Sequence, residues 1–153
     1  MSRRGAAVTV SGVRATQQRI AKIRGALPQD IRYGLERAGA VIEGPAKENC
    51  AVDTGRLRGS ITVEVVEESP TRMSVAVGTN VDYAADVEYG TGIHAENGQG
   101  RKTPWTYKGA DGKFRRTSGN VPQPFLRPAW DENKDDAAAE LVGATQDSIQ
   151  RRT

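Results

Sequence analysis

The amino-acid sequence predicts an α+β fold: an antiparallel sheet with a long helix before it, a C-terminal helix packed on it, and an extended basic loop or hairpin. Apolar residues recur at intervals of three and four near both ends of the chain, which is typical of helices. Two runs of alternating apolar and polar residues lie between them, which is typical of a hairpin. Because helices and strands are grouped rather than alternating, we expect an antiparallel sheet.

The start of the chain is predicted to contain a strand and a short helix. The stretch AAVTVSGV, residues 6–13, indicates a short strand. The spacing of Ile20, Ile23 and Leu27 indicates a short amphipathic helix that begins at Ala15.

A second helix is predicted from Pro28 to about Asn49, because proline is well accepted at the first helical position. Its apolar stripe consists of Ile31, Leu35, Ala38, Ile42 and Ala46. A second proline follows Gly44 and should bend the last turn. We therefore expect a basic N-terminal segment, residues 1–27, and a single domain, residues 28–153.

Two hairpins are predicted in the middle of the chain. The runs SITVEVVEES and RMSVAVGT are joined by the turn-rich residues 68–71, so they should form a hairpin with one buried face. WTYKGADGKFRRT should form a second hairpin about Asp111-Gly112, within the glycine-rich, basic residues 92–120. Between the hairpins we expect one or two helical turns that end at Gly90.

The last helix is predicted after VPQPFLRPAW, with Pro128 in its first turn. Its apolar positions are Trp130, Ala137, Ala138, Leu141, Val142, Thr145 and Ile149. Acidic residues near its start and two arginines at its end complement the helix dipole.

Composition indicates a small core that gains from association. Apolar residues make up 37% of the chain, and the mean hydropathy is -0.59. A subunit interface would add the apolar burial that a small core lacks. No apolar stretch approaches the roughly 20 residues of a membrane span, so we expect neither a signal peptide nor membrane contact. The single Cys50 suits a reducing cytosol or a virion assembled there.

Charge is distributed unevenly along the chain. Residues 1–37 carry eight Arg or Lys, residues 92–119 carry six, and residues 131–147 carry six carboxylates against Lys134 alone. Such regions bind nucleic acid or meet each other between identical subunits, and composition leaves both alternatives open. Three aromatic residues among the cations of 92–119 suit phosphate contact with base stacking, although a solvated hairpin is the simpler interpretation.

Asp53-Thr54-Gly55 has the letters of an aspartic protease signature. Such an enzyme needs its carboxylate after a buried strand and opposite a second carboxylate with which it shares a proton. Here a polar helix end precedes the triplet and Arg56 follows it, so we interpret the triplet as a structural turn. Gly55 should take a positive φ, and Asp53 or Thr54 should accept backbone N–H groups.

Cys50, His94 and Glu88 are the other candidates for chemistry. A single histidine excludes a His-based zinc site on count. A Cys50–His94 pair stays open, but a buried thiol and a solvated imidazole are the simpler interpretation. Glu88 is interpreted as a hydrogen-bond or ion-pair partner. We therefore assign no catalytic, cofactor-binding or metal-binding residue and expect a protein that is not an enzyme.

Three stretches, in order, resemble one protein family. DTGRLRGSI resembles its T-G-x-L-x-x-S-I signature through Thr54, Gly55, Leu57, Ser60 and Ile61. VDYAADVEYGT resembles its Y-A-x-x-V-E-Y/F-G-T signature through Tyr83, Ala84, Val87, Glu88, Tyr89, Gly90 and Thr91. PQPFLRPAW resembles its P-x-P-F-L-R-P-A block through Pro122, Pro124, Phe125, Leu126, Arg127, Pro128 and Ala129. The family is the gene-ten-like neck and tail-component group of tailed double-stranded DNA phages, named for the Hong Kong ninety-seven phage.

The resemblance implies a virion structural protein at the head–tail junction, assembled in the host cytoplasm. It implies a homo-oligomeric ring of six or twelve copies that acts in the neck or in tail completion. The implied neighbours are a portal, adaptor or head-closure protein and a tail terminator or tail tube protein, with genomic DNA passing through the lumen. It implies no catalytic residue and no cofactor. A tail terminator that caps the tail tube and a basic nucleic-acid-binding module remain as alternatives.

Interface residues are predicted on two charged surfaces, and the acidic one should meet a basic segment of the next subunit in such a ring. The acidic surface at the start of the last helix consists of Asp131, Asp135 and Asp136. The basic surface on the second hairpin consists of Arg101, Lys102, Lys108, Arg115 and Arg116. The hairpin should reach either an adjoining ring or the DNA channel.

Overall fold

The α+β fold is confirmed by a computed structural model, which describes residues 12–53, 55–69 and 71–152. Its helices are α1 (Val13–Asn49), α2 (Arg56–Ser60), α3 (Ala84–Tyr89) and α4 (Leu126–Gln150), with a 3-10 turn at Gly92–His94. Its strands are β1 (Thr62–Glu68), β2 (Met73–Gly78), β3 (Trp105–Lys108) and β4 (Phe114–Thr117). They form two separate antiparallel pairs, β1 with β2 and β3 with β4.

Helix α1 is continuous, so the predicted break before Pro28 is wrong. A proline inside a helix costs roughly 3 kcal/mol, and tertiary packing can outweigh that cost. The Asp30 carboxylate, two residues further on, is buried and accepts hydrogen bonds from Ser148 Oγ (2.6 Å) and Arg152 (2.8 Å). These contacts fasten the end of α4 to α1 beside the proline. The strand predicted over residues 6–13 lies outside the described residues up to position 11.

The first hairpin agrees with its predicted alternation. Thr62 pairs with Gly78 and Val65 with Val75, and the register then shifts between Val65 and Glu67. One face of β1 packs on α1, where Gly39 leaves the space that the Val63 side chain occupies. Because a methyl group at this glycine would overlap Val63, the close approach of sheet and helix depends on the missing side chain.

The buried core lies where the C-terminal half of α1 meets α2, the start of α3 and the first turns of α4. Phe125 and Ile61 are the largest fully buried side chains of this core, and Asp30 is buried outside it, against the end of α4. The apolar core comprises Ile42, Ala46, Cys50, Leu57, Ile61, Val81, Ala84, Phe125, Ala129 and Ala137. Small side chains are frequent in this set, in keeping with the lean core that the composition predicts.

Helix α4 packs along α1, and the two form the most extensive contact between elements of the described chain. Gly34 permits this approach, because a Cβ at that position would meet the Leu141 carbonyl and the Thr145 hydroxyl of α4. Three apolar positions predicted for α4 are exposed, unlike the rest: Ala138, Trp130 at 56% and Val142 at 54%. Helix α4 therefore keeps part of its apolar stripe on the surface.

Candidate functional site

Glu88 is the centre of a buried polar junction between α3 and the start of α4. Its side chain is almost fully buried, and Oε2 accepts the backbone N–H groups of Phe125 (2.7 Å) and Leu126 (3.0 Å). Its Oε1 accepts the backbone N–H of Arg127 (3.1 Å). Helix α4 begins without a capping side chain of its own, so Glu88 satisfies the amides that the helix start leaves unpaired.

Arg127 closes this junction from the solvent side. Its Nε donates to Glu88 Oε1 (3.0 Å), and its two terminal nitrogens donate to the Glu96 carboxylate, both at 2.8 Å. One of those nitrogens also donates to the backbone carbonyl of Glu88 (3.0 Å). The guanidinium lies 4.8 Å from the centre of the Tyr89 ring. Arg127 thereby joins α4, α3 and the following turn. We call these four residues the Glu88 junction.

The Glu88 junction has a defined charge state. Burial alone would raise the pKa of Glu88, but the three backbone N–H groups and the Arg127 guanidinium outweigh burial and hold that pKa below its ordinary value. The hydrogen bonds from Arg127 likewise lower the pKa of Glu96. An ionised carboxylate bound by fixed donors is a structural anchor, because a general base needs a free lone pair and a pKa near the working pH.

Backbone hydrogen bonds extend the junction to the root of the second hairpin. The Thr91 N–H donates to the Asn120 carbonyl (2.9 Å), the Ile93 N–H to the Ser118 carbonyl (3.0 Å), and the Asn120 N–H to Thr91 Oγ1 (2.9 Å). Gly92, with φ 60°, lies so close to Ser118 that a Cβ would overlap its carbonyl. Residues 91–93, which follow α3, and residues 118–120, which follow β4, are therefore hydrogen-bonded to each other and form the root of the arm.

The second hairpin, which we call the arm, projects from this root. Its strands pair in register, Trp105 with Thr117 and Lys108 with Phe114. Side chains alternate between the faces of a strand pair, so the four residues of one face are Thr106, Lys108, Phe114 and Arg116. We call this set the Phe114 face. Phe114 is 75% exposed, the largest exposure among the large hydrophobic side chains of the described residues.

The basic residues predicted for the interface all lie exposed on the arm or at its root, but they differ in their partners. Arg101 donates to Thr103 and lies over the Trp105 ring, Lys102 donates to the Gly98 carbonyl, and Arg115 pairs with Asp111. The side chains of Lys108 and Arg116 have no hydrogen bond or ion pair in residues 12–53, 55–69 and 71–152. Both belong to the Phe114 face.

The predicted acidic residues Asp131, Asp135 and Asp136 are exposed on the first turns of α4. No ion pair joins any of the three to the arm within the part of the chain that the structure describes. Asp131 lies at the rim of an open groove of about 750 Å³ between α1, β2 and α4. We call this the α1–α4 groove, and its lining includes Leu35, Ala38, Val75, Trp130, Lys134 and Leu141.

Asp53 and Gly55, the described residues of the Asp53-Thr54-Gly55 triplet, lie in a bend before α2. Gly55 has the expected positive φ, 79°, and is the N-cap residue of α2. Asp53 is exposed, and Thr54 lies outside the described residues. Leu57 and Ile61, two residues of the first motif, are buried in the core. Short helix α2 was not predicted, because five residues are too few to show a period.

The remaining motif residues surround the same core. Ser60 Oγ lies 2.6 Å from Thr79 Oγ1 and ties α2 to the end of β2. Tyr83 is the N-cap residue of α3, and Gly90, with φ 72°, ends that helix against Pro122. Pro124 is exposed just before Phe125, Leu126 is the first residue of α4, and Pro128 lies in its first turn as predicted.

Cys50 and His94 are not positioned as a reactive pair. Cys50 is buried at the end of α1, and this burial raises the pKa of its thiol. His94 is exposed in the 3-10 turn. Among the described residues, no three His, Cys, Asp or Glu side chains lie close enough to hold a metal ion, and no helix is long and apolar enough to cross a membrane.

The fold and these contacts define a class: an α+β protein in which Glu88 and Arg127 bind the chain's own backbone and whose surface presents a charged arm and an apolar groove. Residues 14–90, 77 of the 153, match the model of the family described as "Bacteriophage HK97-gp10, putative tail-component". The chain belongs to this HK97-gp10-like family of bacteriophage tail components. No curated protein and no solved structure gives a significant match.

The family match includes α1, α2, the first hairpin and α3, and it ends at Gly90. It therefore covers the first motif and most of the second. The third motif, PQPFLRPAW, lies beyond the match, but Glu88 binds that motif directly through the amides of Phe125, Leu126 and Arg127. The matched and unmatched parts of the chain are thus in direct contact through Glu88.

Proposed function

We propose that this tail component is a ring-forming part of the head–tail connector, acting in the neck or in tail completion, and that it joins the DNA-filled capsid to the tail. One observation carries this proposal: the basic arm and the acidic start of α4 are both exposed, and no ion pair among the described residues joins the two surfaces. A head-to-tail interface between identical subunits brings such unlike surfaces together and closes when its rotation does.

The proposed neighbours follow from this location in the virion. A connector ring of six or twelve copies contacts a portal, adaptor or head-closure protein on one side and a tail terminator or tail tube protein on the other. Genomic DNA passes through its lumen, so charges that face the channel must not hold DNA tightly. In this proposal the protein has no catalytic role, because Glu88 is occupied by structural donors and Asp53 lies exposed in a turn.

Assembly is tested by light scattering after size-exclusion chromatography, followed by electron microscopy of the purified protein. We expect closed rings of one copy number. A single monomeric species over the whole accessible concentration range would contradict the proposal. Peptide cleavage by the purified protein that is lost in Asp53→Asn would contradict the non-catalytic role.

The acidic surface is tested by reversing Asp135 and Asp136 to Lys. If these carboxylates meet a basic segment of the next subunit, the double variant should sediment as smaller species at moderate salt, where the wild type stays assembled. An unchanged sedimentation profile would remove this contact from the proposal.

The arm is tested in the virion by deleting residues 100–118. In the proposal the arm reaches either an adjoining ring or the DNA channel, so its loss should reduce the number of tailed particles seen by electron microscopy. Normal tail joining would dismiss both roles.

Nucleic-acid binding is a second candidate, and the arm favours it because exposed Phe114 and Tyr107 lie among cations. A mobility-shift assay with DNA distinguishes the two functions. Weak, salt-sensitive binding by rings supports the connector, and a tight complex of the monomer supports a nucleic-acid-binding module. A tail terminator that caps the tail tube would also form rings, and it is distinguished by binding to isolated tails rather than to filled heads.

A further inference from the structure

The Phe114 face combines an exposed aromatic ring with two cations that have no ion pair among the described residues. Phe114 and Lys108 are cross-strand partners, and Arg116 lies on the same face two residues further along β4. An aromatic side chain exposed to water at this level is unfavourable, and it becomes favourable when an apolar surface covers it. The opposite face differs, because its cation Arg115 already pairs with Asp111.

The α1–α4 groove has the complementary composition. Its floor is apolar and includes Leu35, Val75 and Leu141, and the exposed Trp130 stands at its mouth. Asp131 lies at the rim, and Asp135 follows one helical turn later on the same side of α4. Two cations, Arg127 and Lys134, also line the groove. Arg127 is bound by Glu88 and Glu96, and Lys134 lies between Asp131 and Asp135 in the sequence of α4.

We infer that the Phe114 face of one copy docks into the α1–α4 groove of a second copy. Phe114 enters the apolar groove beside Trp130, and the cations of the Phe114 face pair with the carboxylates of its rim. Charge complementarity identifies the occupant: within the described residues, the two cations beside the aromatic ring of the arm have no ion pair, and neither do Asp131, which lines the apolar groove, and Asp135, one turn further along α4. The inference deepens the proposed function and rests on it, since it names the contact between ring subunits.

The same geometry explains why the docking is intermolecular. Backbone hydrogen bonds such as Ile93 N–H to the Ser118 carbonyl hold the two sides of the arm's root together, and the Glu96 N–H donates to the Tyr89 carbonyl within the Glu88 junction. No described ion pair joins the arm to the groove of its own chain. The exposed aromatic ring and the groove thus remain available to different copies, which is the arrangement of a head-to-tail interface.

The test is cross-linking between two populations of the full chain, one carrying Thr106→Cys and the other Ala138→Cys. Thr106 belongs to the Phe114 face, and Ala138 lines the groove, so both substitutions keep Phe114 and Trp130 in place. Native Cys50 can stay, because its burial raises the thiol pKa and slows labelling. The populations are mixed, assembled and treated with a short bis-maleimide.

Two matched controls locate the contact. Tyr107→Cys places the thiol on the opposite face of the arm, and Ala139→Cys places it one residue from the groove lining on the exposed side of α4. We expect a cross-linked dimer from Thr106→Cys with Ala138→Cys at a yield at least several times that of either control pair.

Each other result overturns the inference. Rings that form without this cross-link, or with equal yields from the controls, contradict the docking but leave the proposed function intact. If DNA protects Thr106→Cys from labelling and no cross-link forms, the Phe114 face binds nucleic acid instead. If the Ala138→Cys thiol reacts with maleimide only after residues 1–11 are deleted, those residues and not a second copy occupy the groove. A chain that never assembles contradicts the inference and the proposed function together.

Discussion

The Glu88 junction and the Phe114 face use charge in opposite ways. At the junction, one nearly fully buried carboxylate accepts three backbone N–H groups and the guanidinium of Arg127, whose side chain is 41% exposed. On the Phe114 face, Lys108 and Arg116 are exposed and lack a described partner within the chain. The first arrangement completes the fold of the single chain. The second leaves binding capacity for another molecule. Variants at the junction should therefore affect folding, and variants of the arm should affect assembly.

The largest effect is expected from Glu88→Gln. Each oxygen of the carboxylate faces two N–H donors, so whichever way the amide turns, its NH₂ group meets donors and leaves them unpaired. Breaking a buried, charge-assisted cluster of this kind costs roughly 3–5 kcal/mol. Urea unfolding measures the loss. The control Glu132→Gln on the exposed side of α4 should change the free energy of unfolding by less than about 0.5 kcal/mol. Equal effects of the two variants would remove the junction's structural role.

A smaller loss is expected from Gly34→Ala, which tests the close approach of α1 and α4. The added methyl group would meet the Leu141 carbonyl and the Thr145 hydroxyl, and overpacking of this kind costs about 1–3 kcal/mol. Gly25 in the same helix has open space around its Cα. Gly25→Ala should therefore stabilise the protein by about 0.5–1 kcal/mol through helix propensity. Thermal unfolding of both variants compares them, and the same sign for both would contradict the packing of the two helices.

Acid should weaken the protein through the Glu88 junction. A carboxyl whose pKa is lower in the folded than in the unfolded chain contributes stability above its unfolded pKa, near 4.3, and that stability is lost as pH falls through the folded pKa. The free energy of unfolding should drop with a slope of up to about 1.4 kcal/mol per pH unit for each such group. Urea unfolding from pH 7 to pH 3 measures it. A flat profile below pH 4 would contradict the ionised state of Glu88.

The smallest effect on folding is expected from reversing both cations of the Phe114 face, Lys108→Glu with Arg116→Glu. These side chains have no described partner to lose, so the free energy of unfolding should change by less than about 0.5 kcal/mol. Assembly should nevertheless fail, because the two new carboxylates on the arm would be repelled by the carboxylates on α4 of the next copy. Unfolding and sedimentation of the same sample separate the two effects. A large loss of folding stability would show that the arm belongs to the scaffold.

Local patterns were sufficient to predict much of the fold. The alternation in SITVEVVEES and RMSVAVGT gives the first hairpin, and Asp111-Gly112 gives the turn of the arm. The start of the last helix follows from Pro128 in its first turn. The same use of proline misplaced a helix boundary at Pro28, because the buried contacts of Asp30 with α4 are long-range and leave no local signal.

The Glu88 junction was only partly predictable. Sequence reasoning interpreted Glu88 as a hydrogen-bond or ion-pair partner, but it did not find Arg127 or Glu96 as the groups that complete the junction. One signal was present. Helix α4 begins at Phe125-Leu126 with no Ser, Thr, Asp or Asn to cap it, so an acceptor from elsewhere had to supply the cap. The distance along the chain hides which residue that is, because Glu88 lies 37 residues before Phe125.

The central claim is that the exposed charges of the arm find their partners on another copy of the chain. Compensating charge reversal tests it most directly: Lys108→Glu with Arg116→Glu is combined in one chain with Asp131→Lys and Asp135→Lys, and the molar mass is measured by light scattering at low and moderate salt. The account predicts that each pair alone abolishes assembly and that the four substitutions together restore the wild-type mass. A fourfold variant that stays as dissociated as either pair would contradict it.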